Sequence, residues 1–74
     1  MLPSMKKYSL SKLAGNLKKL RLKNKLSREE LSKRAKVNYN TIIKLESGAN
    51  KNPTIKTLLG ICGVFKTGIE DLIS

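Results

Sequence analysis

An all-α fold, a bundle of about five short helices around one small core, is what this sequence predicts, and three observations lead there. Leucines and isoleucines recur at spacings of three and four along most of the chain, and no segment shows the strict two-residue alternation of a half-buried strand. Residues that start helices stand at intervals along it: Ser27 with Glu30, then Asn38, then Thr54. Aromatic residues make up only 4% of the 74, so the core has to be built from Leu and Ile. That length is enough for one small domain. A chain this short buries only about 60% of the surface it exposes when unfolded, so a partner subunit would add to its stability.

Met1–Tyr8 reads as a basic N-terminal arm and residues 9–74 as the folded domain. The first helix is expected from Ser9 to Asn24. Leu10, Leu13, Leu17 and Leu20 share one face of it, and Lys12, Lys18, Lys19 and Lys23 take the others. Gly15 weakens that helix by about 1 kcal/mol relative to alanine. The second helix starts at Ser27, which forms a capping box with Glu30, and Glu29 and Glu30 suit the positive end of its dipole. It is short, turns Leu31 and Ala35 inward and ends near Lys36.

The third helix runs from the N-cap Asn38 to Glu46. Ile42 and Leu45 are its buried stripe, which leaves Tyr39, Asn40, Thr41 and Lys44 for another surface. Ser47-Gly48 ends it, with Gly48 suited to the left-handed conformation. Asn50-Lys51-Asn52-Pro53 is a turn. Thr54 caps a fourth helix, Ile55–Phe65, the most apolar of the five, in which Gly60 and Gly63 would permit close helix packing. A fifth covers Ile69–Ile73, with Glu70 and Asp71 in its first turn. The expected core is Leu13, Leu17, Leu20, Leu26, Leu31, Val37, Ile42, Leu45, Leu58, Leu59, Ile61 and Phe65. Ile69, Leu72 and Ile73 add more apolar surface than the end of a short chain needs, and are expected to serve partly as a dimer contact.

Sixteen basic and five acidic side chains give a formal charge of +11, and the pI is near 10.2. Such a surface attracts polyanions, although a merely solvated lysine-rich face would give the same total. The distribution is more informative. Met1–Lys36 holds twelve basic and two acidic residues, and Val37–Ser74 four and three. One side of the fold is thereby expected to face an anion.

One cysteine, Cys62, and no histidine exclude an internal disulfide and a Cys/His zinc site. Cys62 lies in an apolar run and reads as a small buried hydrophobe. A serine nucleophile would need a lysine base, and nothing places Ser27 or Ser32 beside a buried lysine. No enzyme, no cofactor and no metal is expected. No apolar stretch approaches the ~18 residues of a membrane span, and Met1–Tyr8 lacks the apolar region of a secretion signal. A cytoplasmic protein without a membrane partner is expected.

The informative unit is the second helix, a short turn and the third helix. Only Lys36 and Val37 lie between Ala35 and Asn38, and so short a connection makes two helices cross steeply, as in a helix-turn-helix. Around it stand Leu17-Lys18-Lys19-Leu20-Arg21, Leu26-Ser27-Arg28-Glu29-Glu30-Leu31, Val37, Thr41-Ile42-Ile43-Lys44-Leu45-Glu46-Ser47-Gly48, Pro53-Thr54 and Thr57-Leu58-Leu59. This ordered series resembles the phage-repressor and Cro-like (XRE) helix-turn-helix family over roughly residues 10–73, with no evident insertion. No single segment is specific, but their order and spacing are.

The resemblance implies a five-helix, lambda-repressor-like DNA-binding domain whose recognition helix, residues 38–46, enters the major groove of double-stranded DNA. It implies a sequence-specific transcriptional regulator, read here as a repressor. Base contact falls on Tyr39, Asn40 and Lys44. Asn40 can bond adenine bidentately, Lys44 can donate to guanine, and Tyr39 can meet a thymine methyl or a phosphate. Arg28 matches a phosphate-contacting position often held by glutamine; it keeps a donor and adds charge. Asn38, Thr41, Ser47 and Lys51 match positions beside the groove that touch the DNA backbone. Arg21 and Glu46 match a pair commonly salt-bridged between helices one and three.

Family members often carry glycine where helices one, two and four end, and this chain has Lys25, Lys36 and Lys66 there. A non-glycine residue in the left-handed region costs on the order of 1 kcal/mol, so either the ends close differently or Asn24 supplies one such turn. Ser32 replaces a typical alanine at a helix contact. A homodimer, frequent in the family, would hold two recognition helices about 34 Å apart. Polymerase is one protein partner that follows, blocked or recruited at a promoter. Two other readings stay open: an antitoxin-type module whose partner is a toxin, and a nucleic-acid-binding protein that uses charge without reading sequence.

Overall fold

The computed structural model describes residues 10–73, so the arm expected over Met1–Tyr8 lies outside the described residues. Among the described residues the regular elements are all helical. A 3-10 turn, Leu10–Lys12, leads into α1 (Leu13–Lys23), followed by α2 (Arg28–Ala35), α3 (Tyr39–Ser47), α4 (Ile55–Phe65) and α5 (Ile69–Ile73). The all-α, five-helix expectation holds, and α4 and α5 have the expected bounds. The first helix differs at its start. Lys12, the residue before α1, offers no side-chain acceptor to the first amides, and the chain enters through the tighter turn instead.

Three side chains cap the starts of α2, α3 and α4. Ser27 Oγ accepts from the Glu30 amide at 3.0 Å while Glu30 Oε1 accepts from the Ser27 amide at 3.0 Å. Asn38 Oδ1 accepts from the Asn40 amide at 2.8 Å, and Thr54 Oγ1 from the Thr57 amide at 3.1 Å. The ends close in the left-handed conformation despite the missing glycines: φ is 56° at Lys25, 57° at Lys36 and 53° at Lys66. Asn24, with φ −92°, supplies none of these turns. Each lysine lets the next amide reach back to the helix: Leu26 to the Arg21 carbonyl at 3.1 Å, Val37 to Ser32 at 3.0 Å and Thr67 to Cys62 at 3.1 Å. Satisfying those carbonyls offsets part of the left-handed strain.

The core runs through all five helices: Leu13 and Leu17 of α1, Leu31 and Ala35 of α2, Ile42 and Leu45 of α3, Leu58, Ile61 and Cys62 of α4, and Leu72 of α5. Leu20, Val37 and Phe65, expected inside, are partly buried and pack against it. Two expectations are corrected. Leu59 is 56% exposed, because Leu58, Ile61, Cys62 and Phe65 already define the inward stripe of α4 and Leu59 lies 100° away from Leu58. Leu72, expected at a dimer contact, is fully buried. It belongs to the core because α5 packs on α1, where Asn16 Nδ2 donates to the Leu72 carbonyl at 2.8 Å. Ile69 and Ile73 pack partly buried on the same core. The larger exposed apolar surface lies instead on α4, at Ile55 (62%) and Leu59.

Helices α2 and α4 meet at Gly60. A Cβ there would stand 2.7 Å from the Ala35 carbonyl oxygen, whereas one at Gly63 would meet nothing within 4 Å. Close packing therefore depends on Gly60 and not on Gly63.

Candidate nucleic-acid interface

The α2–α3 unit is held by its turn and by a shared carboxylate. The turn is fixed where Val37 donates to Ser32 and where Asn38 caps α3. Farther along, Glu46 of α3 receives Arg21 of α1 through two bonds, Nε to Oε2 at 2.6 Å and Nη2 to Oε1 at 3.0 Å. Arg21 Nη1 donates to the Leu26 carbonyl at 2.9 Å. Arg28 at the start of α2 adds its Nε to Glu46 Oε1 at 3.2 Å. The Glu46 and Arg21 side chains are almost fully buried. Burial pushes the Glu46 carboxyl up, but the bonds from Arg21 and Arg28 and their charges outweigh it, and the group is held below its ordinary value. The bond to Glu46, opposed by burial, raises the Arg21 guanidinium in turn. A buried pair of this kind adds little net stability over an apolar pair, but removing one partner costs about 3–5 kcal/mol. It fixes the orientation of α3 against α1 and α2.

With Ile42, Leu45 and Glu46 turned inward, the opposite side of α3 is presented to solvent. Asn40 and Lys44, one turn apart, are exposed there, and Tyr39 is exposed beside them at the start of the helix, on the Glu46 side. Ile43 is partly buried and lies at i+4 from Tyr39 and i+3 from Asn40. Sequence reasoning passed over it, although the spacing Asn40, Ile43, Lys44, Ser47 marks one helix face. An isoleucine there suits a thymine methyl.

The residues expected to touch the DNA backbone divide into separate groups. Asn38 and Thr41 line a groove with Lys36, Lys56 and Thr57, between the end of α2, the start of α3 and the start of α4. Lys36 and Lys56 were not anticipated, because their approach depends on how α4 packs against the turn. Lys51 lies in a second groove with Leu10, Ser11, Leu45, Asn50 and Asn52. Ser47 is engaged locally: its hydroxyl donates to the Lys44 carbonyl at 3.1 Å and accepts from the Ala49 amide at 3.3 Å. Contact with a phosphate would require it to give up the first of these bonds. Arg28 has an exposed side chain that remains tied to Glu46.

Cys62 lies in the core, and burial, with the charges of Asp71 and Glu70, pushes its thiol up. Among the described residues no group of three or more Cys, Asp or Glu side chains is placed to hold a metal.

Comparison with known proteins gives two matches. A helix-turn-helix family model matches residues 17–72, most of the chain. Over 56 residues the chain is 41% identical to an uncharacterized HTH-type transcriptional regulator of Archaeoglobus fulgidus, covering 76% of this chain and 78% of that protein. No solved structure matches significantly.

Proposed function

The chain belongs to the XRE-type helix-turn-helix family of DNA-binding transcription regulators, and from that premise we propose that it reads a specific sequence in double-stranded DNA and acts as a repressor. The observation that carries this reading is the division of α3 into two faces. One is locked by Ile42, Leu45 and the Arg21–Glu46 pair, and the other offers Asn40, Ile43 and Lys44, with Tyr39 exposed at its edge in the first turn. A helix presenting polar donors and one aliphatic side chain from a rigid support suits the major groove, where base pairs differ in donors, acceptors and methyl groups.

Arg28, Asn38, Thr41 and Lys51, joined by Lys36 and Lys56, supply backbone contacts on either side of α3. These make affinity salt-dependent and set register without reading sequence. Two copies pair through the other half of the fold. Between Ile55 and Ile73 the lysines Lys56 and Lys66 balance Glu70 and Asp71, so this half can approach its copy without the repulsion that the basic half would meet. Ile55 and Leu59 give it exposed apolar surface. A dimer occupying a promoter excludes polymerase, and such a regulator works in the cytoplasm. No described helix is long and apolar enough to cross a membrane.

The division of roles is tested by two substitutions assayed on the same panel of duplexes. Asn40→Ala should relax sequence preference by about 1–3 kcal/mol at one base pair and change binding to random DNA little. Arg28→Ala should weaken all duplexes alike and lower the slope of log K against log salt by about 0.9. An equal loss on every duplex for both variants would refute it.

A further inference from the structure

Two arginines of different exposure meet on one buried carboxylate. Arg21 spends its donors inside the protein, on Glu46 and on the Leu26 carbonyl. Its charge and that of Glu46 cancel. Arg28, with its side chain 44% exposed, reaches Glu46 through Nε. Its charge is therefore left over for another anion. A guanidinium is a rigid plane with five N–H donors, so a bond at Nε sets the direction of the whole plane. Arg28 is also the first residue of α2, where the helix dipole disfavours a cation. Glu46 offsets part of that, and a second anion would offset the rest.

We infer that Glu46 is a positioning residue for DNA phosphate binding: it holds the Arg28 guanidinium by Nε and orients its Nη donors toward a phosphate, while Arg21 keeps Glu46 charged and in place. This rests on the reading of Arg28 as a phosphate contact. The gain is preorganisation. A free arginine side chain loses rotamer freedom when it closes on a phosphate, and one already held through Nε loses less. The same carboxylate sits on α3, so the backbone-gripping arginine and the reading helix are held in one register.

The test uses the intact protein, labelled with nitrogen-15 at arginine, and a duplex of about two helical turns. In the free protein the Arg28 Nε–H should exchange slowly with water. On adding duplex that signal should persist while the Arg28 Nη signals shift and slow. Loss of the slow Nε–H on binding would overturn the inference, because Arg28 would then leave Glu46 to reach DNA. Unchanged Nη signals alongside shifted α3 amides would also overturn it, because Arg28 would not be a contact. Absence of any shift across the protein would instead mean that the DNA-binding reading itself had failed. Arg28→Lys provides a second arm without disturbing the buried pair. An ammonium keeps the charge and the salt slope but has no separate edge for Glu46, so affinity should fall about tenfold. Equal affinity of wild type and Arg28→Lys would overturn the inference.

Discussion

Replacing Gly60 by alanine tests the packing that places the turn between α2 and α3. The added Cβ would lie 2.7 Å from the Ala35 carbonyl oxygen and 3.6 Å from Val37 Cγ2. The first is well inside contact distance and the obstacle is backbone, so α2 and α4 have to separate by several tenths of an ångström. Overpacking of this sort costs about 1–3 kcal/mol. Against it stands the helix preference for alanine over glycine, about 1 kcal/mol. Gly63→Ala isolates that second contribution, because its Cβ would meet nothing within 4 Å in the same helix. Gly63→Ala should therefore stabilise by about 1 kcal/mol and Gly60→Ala should destabilise by about the same amount. In a domain of this size the two melting temperatures should differ by roughly 8–16 °C. Thermal unfolding followed by circular dichroism reads the difference. Equal stabilisation by both substitutions would refute the close approach of α4 to the end of α2.

The Glu46 carboxyl is held below its ordinary value of 4.5, so the unfolded chain binds the extra proton first as pH falls. Its contribution is full above about pH 4.5 and is lost as pH drops through the lower folded value. Glu30, held low by its bonds to the Ser27 amide and hydroxyl, acts in the same direction. The urea midpoint should fall below about pH 4.5 and should still do so in Glu30→Gln; a midpoint unchanged on acidification would contradict the buried pair. Lys36 takes φ 57°, and Lys36→Gly should relieve left-handed strain and raise stability by on the order of 1 kcal/mol. A lower midpoint in urea would show that the lysine is not strained there.

Much of the fold could be read along the chain because its signals are local. Ser27 with Glu30, Asn38 and Thr54 mark helix starts whose hydrogen bonds span two or three residues, and α4 and α5 follow from spacing alone. What could not be read depends on long-range packing. Leu59 and Leu58 are equally apolar neighbours, and only the docking of α4 decides which is buried. Leu72 looks like surplus apolar surface until α5 folds back on α1. The lysines at the helix ends carry no mark of left-handed geometry, since the usual mark is glycine. In the candidate site, the exposed face of α3 was legible from its periodicity, apart from Ile43. The link from Arg28 to Glu46 spans 18 positions and joins two helices, and the approach of Lys56 to the turn needs α4 in place.

Selection from a random duplex library at about 150 mM salt, where screening discounts loose charge attraction, asks whether α3 reads sequence. Sequence reading by α3 should enrich a two-fold symmetric site with half-sites about ten base pairs apart, and the enrichment should be lost when Asn40 and Lys44 are replaced by alanine. A pool that stays unenriched would contradict it, because the basic surface would then bind DNA without α3 reading it.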